Sequence, residues 1–176
     1  MQAIAFTGLP GSGKSEAVTV AERQGWTVIR MGDEVRAEAR RHGMEPSDGN
    51  LGRIADDLRQ QEGMDVWARR SLPDGDGDVV IDGIRNIEEV ELFREEIDDF
   101  VLVAVHASPE TRYQRLRERG RSDDAASLEE LKKRDERELG WGIGSVVAMA
   151  DVVIVNEGSL EELHGKVTGL LAGMQG

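Results

Sequence analysis

The sequence predicts an α/β fold, a five-stranded parallel sheet flanked by helices, and three observations lead to it. The stretch Gly8-Leu9-Pro10-Gly11-Ser12-Gly13-Lys14-Ser15 follows the apolar run Ala3-Ile4-Ala5-Phe6-Thr7 and fits the pattern G-x-x-x-x-G-K-[ST]. Apolar run, helical pattern and apolar run succeed one another between Ala3 and Arg30, which implies a right-handed parallel crossover. Three more short apolar runs come later: Val79 into Asp82, Phe100 to Val105, and Asp151 to Val155.

The loop defines the expected chemistry. Its glycines let successive N–H groups, including those of Leu9 and Ser12, turn inward around a phosphate without a Cβ in the way. Pro10 belongs to the same nucleotide-binding loop, Gly8 to Ser15. Lys14 would reach the terminal phosphates as a point charge, and Ser15 would place its hydroxyl on Mg2+. The helix that follows, Lys14 to Gln24, would add its positive N-terminal end, with Gly25 as its stop. These are the marks of a P-loop NTPase fold that binds a nucleoside triphosphate.

Composition narrows the setting. The 176 residues suffice for one domain, with no internal repeat, and there are no cysteines to staple it. No apolar run approaches the roughly 20 residues of a membrane span, and the chain starts directly on a strand, so a cytoplasmic protein is expected. Net charge is −13, and only Lys14, Lys132, Lys133 and Lys166 of the 22 basic residues are lysine. That balance argues against nucleic acid as a partner. It also suits a high-salt cytosol, where screening removes self-repulsion, so a halophilic source is expected.

Strand two, Trp26 to Arg30, runs into Met31-Gly32-Asp33-Glu34-Val35-Arg36. This segment resembles adenylate kinases and their relatives, in which a Gly-Asp pair opens a helix and an arginine three residues on grips the monophosphate acceptor. Arg36 matches that arginine. Residues 33–71 read as helical with breaks at Pro46-Ser47-Asp48-Gly49 and Gly63, and Leu51, Ile54, Ala55 and Leu58 fall on one face. The resemblance makes this insertion the acceptor-binding part. Its Trp67, Arg69 and Arg70 read equally as packing and solvated charge.

Asp82 ends a buried strand beside the loop, where Mg2+ needs a negative partner. Asp82-Gly83-Ile84-Arg85 resembles the Asp-Gly-x-x-Arg stretch of adenylate kinases with one residue fewer, which implies that Arg85 is a second clamp on the acceptor phosphate. Asn86 with Glu89 reads as the cap of the next helix, Asn86 to Asp98. His106, with no histidine or cysteine near it in sequence, reads as a local hydrogen-bonding group.

A capped helix opens at Ser108-Pro109, carrying Arg112, Arg115 and Arg119 on one face; interleaved acids make surface pairing the expectation for most of its arginines. The resemblance to kinase lids singles out a short lid, 119–127. It places Arg119 on the nucleotide and Arg121 on the transferred group, with Arg134 and Arg137 closing on the acceptor from the helix capped by Ser127 and Glu130. Asn156 to Leu163 resembles the final strand and turn of dephospho-coenzyme A kinases, where backbone lies against adenine. Leu160, Leu163, Val167, Leu170 and Leu171 are expected to pack the last helix on the sheet.

Over nearly its whole length, 1–176, the chain resembles an archaeal group of P-loop proteins related to adenylate kinase. The resemblance implies an ATP- and Mg2+-dependent kinase acting on a small nucleotide acceptor, AMP favoured, with Lys14, Arg85, Arg121 and Asp82 catalytic. Acceptor contacts would come from Asp33, Arg36, Arg85, Arg134 and Arg137. For a ribose hydroxyl acceptor, Asp33 would serve as base. A slow ATPase that acts as a nucleotide-responsive binding protein is the reading from another class. Oligomeric state is not encoded in these motifs. The acidic composition predicts a melting temperature that rises with salt, read from melting curves between dilute buffer and about molar salt, where the Debye length falls to about 3 Å.

Overall fold

The computed structural model describes residues 1–75, 77–119 and 127–174. In chain order the elements are β1 (Gln2–Thr7), α1 (Lys14–Arg23), β2 (Thr27–Arg30), α2 (Met31–Arg41), α3 (Asp48–Glu62), α4 (Val66–Arg70) and β3 (Val79–Asp82). They continue with α5 (Ile87–Glu96), β4 (Asp99–His106), α6 (Pro109–Arg119), α7 (Leu128–Trp141), α8 (Ile143–Ala148), β5 (Val152–Val155) and α9 (Leu160–Met174).

The strands form one five-stranded sheet in the order β2-β3-β1-β4-β5, with every neighbouring pair parallel. β1 lies at the centre, and Ala3 to Phe6 are fully buried because both of its faces are covered. Period-two alternation sorts the side chains. Ile4, Phe6, Val80 and Val103 belong to the core with α1 and α9, while Ala3, Ala5, Ile81 and Leu102 belong to the core with α2 to α5 and α8. Each fully buried Ile or Phe contributes roughly 1.5–3 kcal/mol of transfer free energy.

Helix boundaries follow local chemistry. The hydroxyl of Ser47 accepts from Asn50 N–H at 3.3 Å to start α3, which stops at Gly63. Ser127 and Glu130 form the reciprocal capping box that starts α7. Asn86 accepts from Glu89 N–H at 2.8 Å, but the Glu89 carboxylate turns elsewhere, so only half of that box forms. α2 starts at Met31, two residues before the expected 33. The expectation for the last helix also needs one correction. Leu163, Val167 and Leu171 are buried, whereas Leu160 is 54% exposed, because the buried stripe runs at i, i+4 and i+8 and Leu160 precedes it on the first turn.

Arg112 departs from the expected solvated face. It is 2% exposed, donates to both carboxylate oxygens of Asp135 at 3.0 and 2.6 Å, and donates to the Pro10 carbonyl at 2.9 Å. The bond ties α6 to α7 and to the loop after β1. Removing one member leaves a buried charge unpaired, so Asp135→Ala should cost about 3–5 kcal/mol, and the apolar pair Arg112→Met with Asp135→Leu should recover most of it. Urea denaturation of the two variants checks both values.

Candidate active site

Parallel strands deliver their C-terminal ends to one edge of the sheet, and ligands of open α/β sheets bind there. At that edge the loop Gly8 to Ser15 connects β1 to α1. Gly11 has φ +81°, and a Cβ there would lie 2.6 Å from the Arg112 carbonyl, so both conformation and space require glycine. Asn156, just after β5 and 5% exposed, donates to the Ser12 carbonyl at 2.8 Å and holds the loop from the other side.

The whole loop lines a cleft of about 480 Å3 that also takes in Arg30, Arg36, Asp82, Arg85, Arg115 and Arg134. Lys14 pairs with Asp82 inside it, and both side chains are largely buried. The register explains the meeting, since Phe6 pairs with Asp82 and Asp82 pairs with Arg30 across the sheet. Burial acts to raise the Asp82 carboxyl, but Lys14, with Arg85 and Arg30 behind it, prevails and holds it below the usual carboxylate value. Ser15 lies exposed at the start of α1 and also lines the cleft.

A smaller cavity of about 120 Å3 adjoins the cleft and shares Gly32, Arg36, Gly83 and Arg85 with it. Val35, Leu51, Ala55, Trp67 and Trp141 give it apolar walls, while Arg59, Arg137 and Glu138 add charge. Arg36 and Arg85 therefore stand where the two spaces meet. Arg85 is held twice by buried acids: its Nε meets Glu138 at 2.6 Å, and its backbone N–H donates to Glu89 at 2.7 Å. Glu89 also accepts from Arg59 at 2.9 Å. Burial pushes the Glu89 carboxyl up, against the pull of Arg59 and the Arg85 N–H.

Of the residues singled out from the sequence, Lys14, Ser15, Asp82, Arg36, Arg85 and Arg134 all line the cleft, and Arg137 lines the adjoining cavity. Asp33 is a correction. β2 ends at Arg30, so Asp33 sits in the first turn of α2, largely exposed and paired with Arg36 at 2.9 Å. Helical phase brings Gly32 and Arg36, four residues apart, to the cleft and turns Asp33 away from it. The side chain of Arg119, and Arg121 with most of the expected lid, lie outside the described residues. Sequence reasoning missed Arg30, Arg59, Glu89 and Glu138. Arg59 carried a signal: it falls four residues after Ala55 on the apolar side of α3, where a cation needs a buried partner.

A family model described as an AAA domain matches residues 7–132. A UPF0200/UPF0201 protein of Archaeoglobus fulgidus is 47% identical over 97% of the chain, which spans 55% of that protein's length. A UPF0200 protein of Methanosarcina barkeri is 44% identical over 98% of the chain and 95% of its own length. The chain belongs to the UPF0200 family, with an AAA domain at residues 7–132. Solved structures of other proteins share this fold. TT1252 from Thermus thermophilus has a TM-score of 0.62 at 21% identity, over 99% of the chain and 98% of its own. A shikimate kinase from Acinetobacter baumannii in complex with shikimate has a TM-score of 0.60 at 18% identity, over 98% of the chain and 94% of its own. The fold is therefore that of a P-loop NTPase with kinase-like neighbours. Among the described residues no helix is long and apolar enough to cross a membrane.

Among the described residues no group of three or more His, Cys, Asp or Glu could hold a metal alone. A cation bound by Ser15 and Asp82 would take its other ligands from phosphate and water, the arrangement Mg2+ favours. Because Asp82 titrates below its unfolded value of 3.8, the folded state binds fewer protons in acid, and its contribution to stability is present above that value. The stability difference between the wild type and Asp82→Asn should thus hold steady at neutral pH and shrink as pH falls below about 3.8. Urea titrations at several pH values measure this; a difference that grows in acid would contradict it.

Proposed function

We propose that the chain is an ATP- and Mg2+-dependent phosphotransferase whose acceptor is a nucleoside monophosphate, with AMP favoured. One observation carries the reading: Arg36 and Arg85 line both the loop's cleft and the adjoining apolar cavity, so two phosphates can meet at their junction. Residues 33–71 supply much of the wall of the smaller space and act as the acceptor-binding part of a single domain. The likeness of the fold to that of a shikimate kinase is consistent with this reaction class.

In this reading the loop N–H groups and Lys14 hold the β- and γ-phosphates, while Arg36 and Arg85 hold the acceptor phosphate against the γ-phosphorus. An acceptor oxygen bonds to that phosphorus as its bond to the β–γ bridging oxygen breaks, and the electron pair leaves with the diphosphate. Ser15 and Asp82 would hold Mg2+, which would supply charge neutralisation at the phosphates. Positioning and charge stabilisation suffice, with no covalent intermediate on the protein. Glu138 and Glu89 keep Arg85 in place. For a ribose hydroxyl acceptor the Asp33 carboxylate is engaged by Arg36 at 2.9 Å, which favours the monophosphate reading.

Lys14→Ala should abolish triphosphate binding in calorimetry. Arg36→Ala and Arg85→Ala should lower acceptor use at least tenfold, about 1.4 kcal/mol, with ATP affinity nearly kept. The deciding assay offers ATP and Mg2+ with each monophosphate and with dephospho-coenzyme A, and identifies the phosphorylated product. Free phosphate as the sole product would refute the kinase reading.

A further inference from the structure

The reading above leaves Asp48 without a role, yet this residue joins the two spaces. It opens α3 directly after the Ser47 cap, in the acceptor part of the fold. Arg137 Nη2 donates to both of its carboxylate oxygens at 3.0 Å, and Arg134 Nε stands 3.3 Å from the same group. Both arginines come from α7, three residues apart and so on one side of that helix. They serve different spaces, however: Arg134 lines the cleft of the phosphate loop, and Arg137 lines the smaller cavity.

Two further features show that α3 and α7 are built to meet here. The Arg137 guanidinium lies close over Gly52, 2.9 Å from where a Cβ would stand, so a larger residue there would displace the arginine from this position. Farther along, Trp141 of α7 donates from Nε1 to Asp56 of α3 at 3.2 Å, and its ring lies under the guanidiniums of Arg59 and Arg137.

We infer that Asp48 is a positioning residue that couples occupancy of the triphosphate cleft to affinity for the acceptor. With the cleft empty, one carboxylate is divided between two guanidiniums. A triphosphate drawing on Arg134 leaves Asp48 to Arg137 alone, which fastens α3 to α7 along the wall of the acceptor cavity. The second substrate then meets a cavity already ordered, and by linkage the acceptor strengthens triphosphate binding by the same factor. This inference rests on the assignment of the two spaces made above.

The test uses the full chain and calorimetry of AMP, with and without Mg2+ and a non-hydrolysable ATP analogue. The analogue should tighten AMP binding at least about fivefold in the wild type, Asp48→Asn should reduce the factor below about twofold, and Asp48→Glu should restore much of it. An equal factor in the wild type and Asp48→Asn overturns the inference. A second readout does not depend on the acceptor: the Trp141 emission, isolated by comparison with Trp141→Phe, should shift on adding the Mg2+ analogue alone and should not shift in Asp48→Asn. The same shift in both, or none in the wild type, overturns the coupling. A shift confined to the wild type with no binding of AMP would uphold the role of Asp48 and refute AMP as the acceptor.

Discussion

Parallel pairing is the constraint on which everything else in this molecule depends. Because β1, β2, β3 and β5 all run the same way, the residues that follow them are delivered to one edge of the sheet: the loop at Gly8, Arg30, Asp82 and Asn156. None of these is near the others in sequence. Register then refines the meeting, since Arg30, Asp82 and Phe6 pair across three adjacent strands and place Asp82 beside the first turn of α1, where Lys14 stands. A slip of one residue would turn Asp82 to the opposite face.

The second theme is how an acidic chain maintains a cationic cleft. Net charge is −13, yet the cleft and its adjoining cavity gather arginines from α2, α3, α6 and α7. Several of these are held by a carboxylate: Arg85 by Glu138, Arg59 by Glu89, and Arg134 and Arg137 by Asp48. Such pairing offsets mutual repulsion among the cations and fixes their geometry. It also means that an incoming phosphate competes with a resident acid, so affinity reflects an exchange of partners and not the capture of free charge.

Much of this was legible in the sequence. A strand-loop-helix motif is local, and its glycines, lysine and serine have little freedom once β1 and α1 form. Arg36 and Arg85 were legible because they sit within a few residues of strand ends. Asp33 was misplaced because one residue decides whether a side chain belongs to a strand end or to a helix turned 100° further, and the pattern of Met31-Gly32-Asp33 leaves that boundary open. Arg112 was misjudged for a different reason: among interleaved acids, nothing local separates a solvated arginine from one buried against Asp135, 23 residues away.

The sequence by itself determined the sheet class, through its succession of apolar runs and helical patterns, and the phosphate-loop motif, because that motif lies within one strand-turn-helix unit. Only the tertiary structure decided which carboxylate holds which arginine. Glu89, Glu138 and Asp48 act across α5, α7 and α3, and their choice of partner is set by how those helices pack over the parallel edge, which no spacing along the chain encodes.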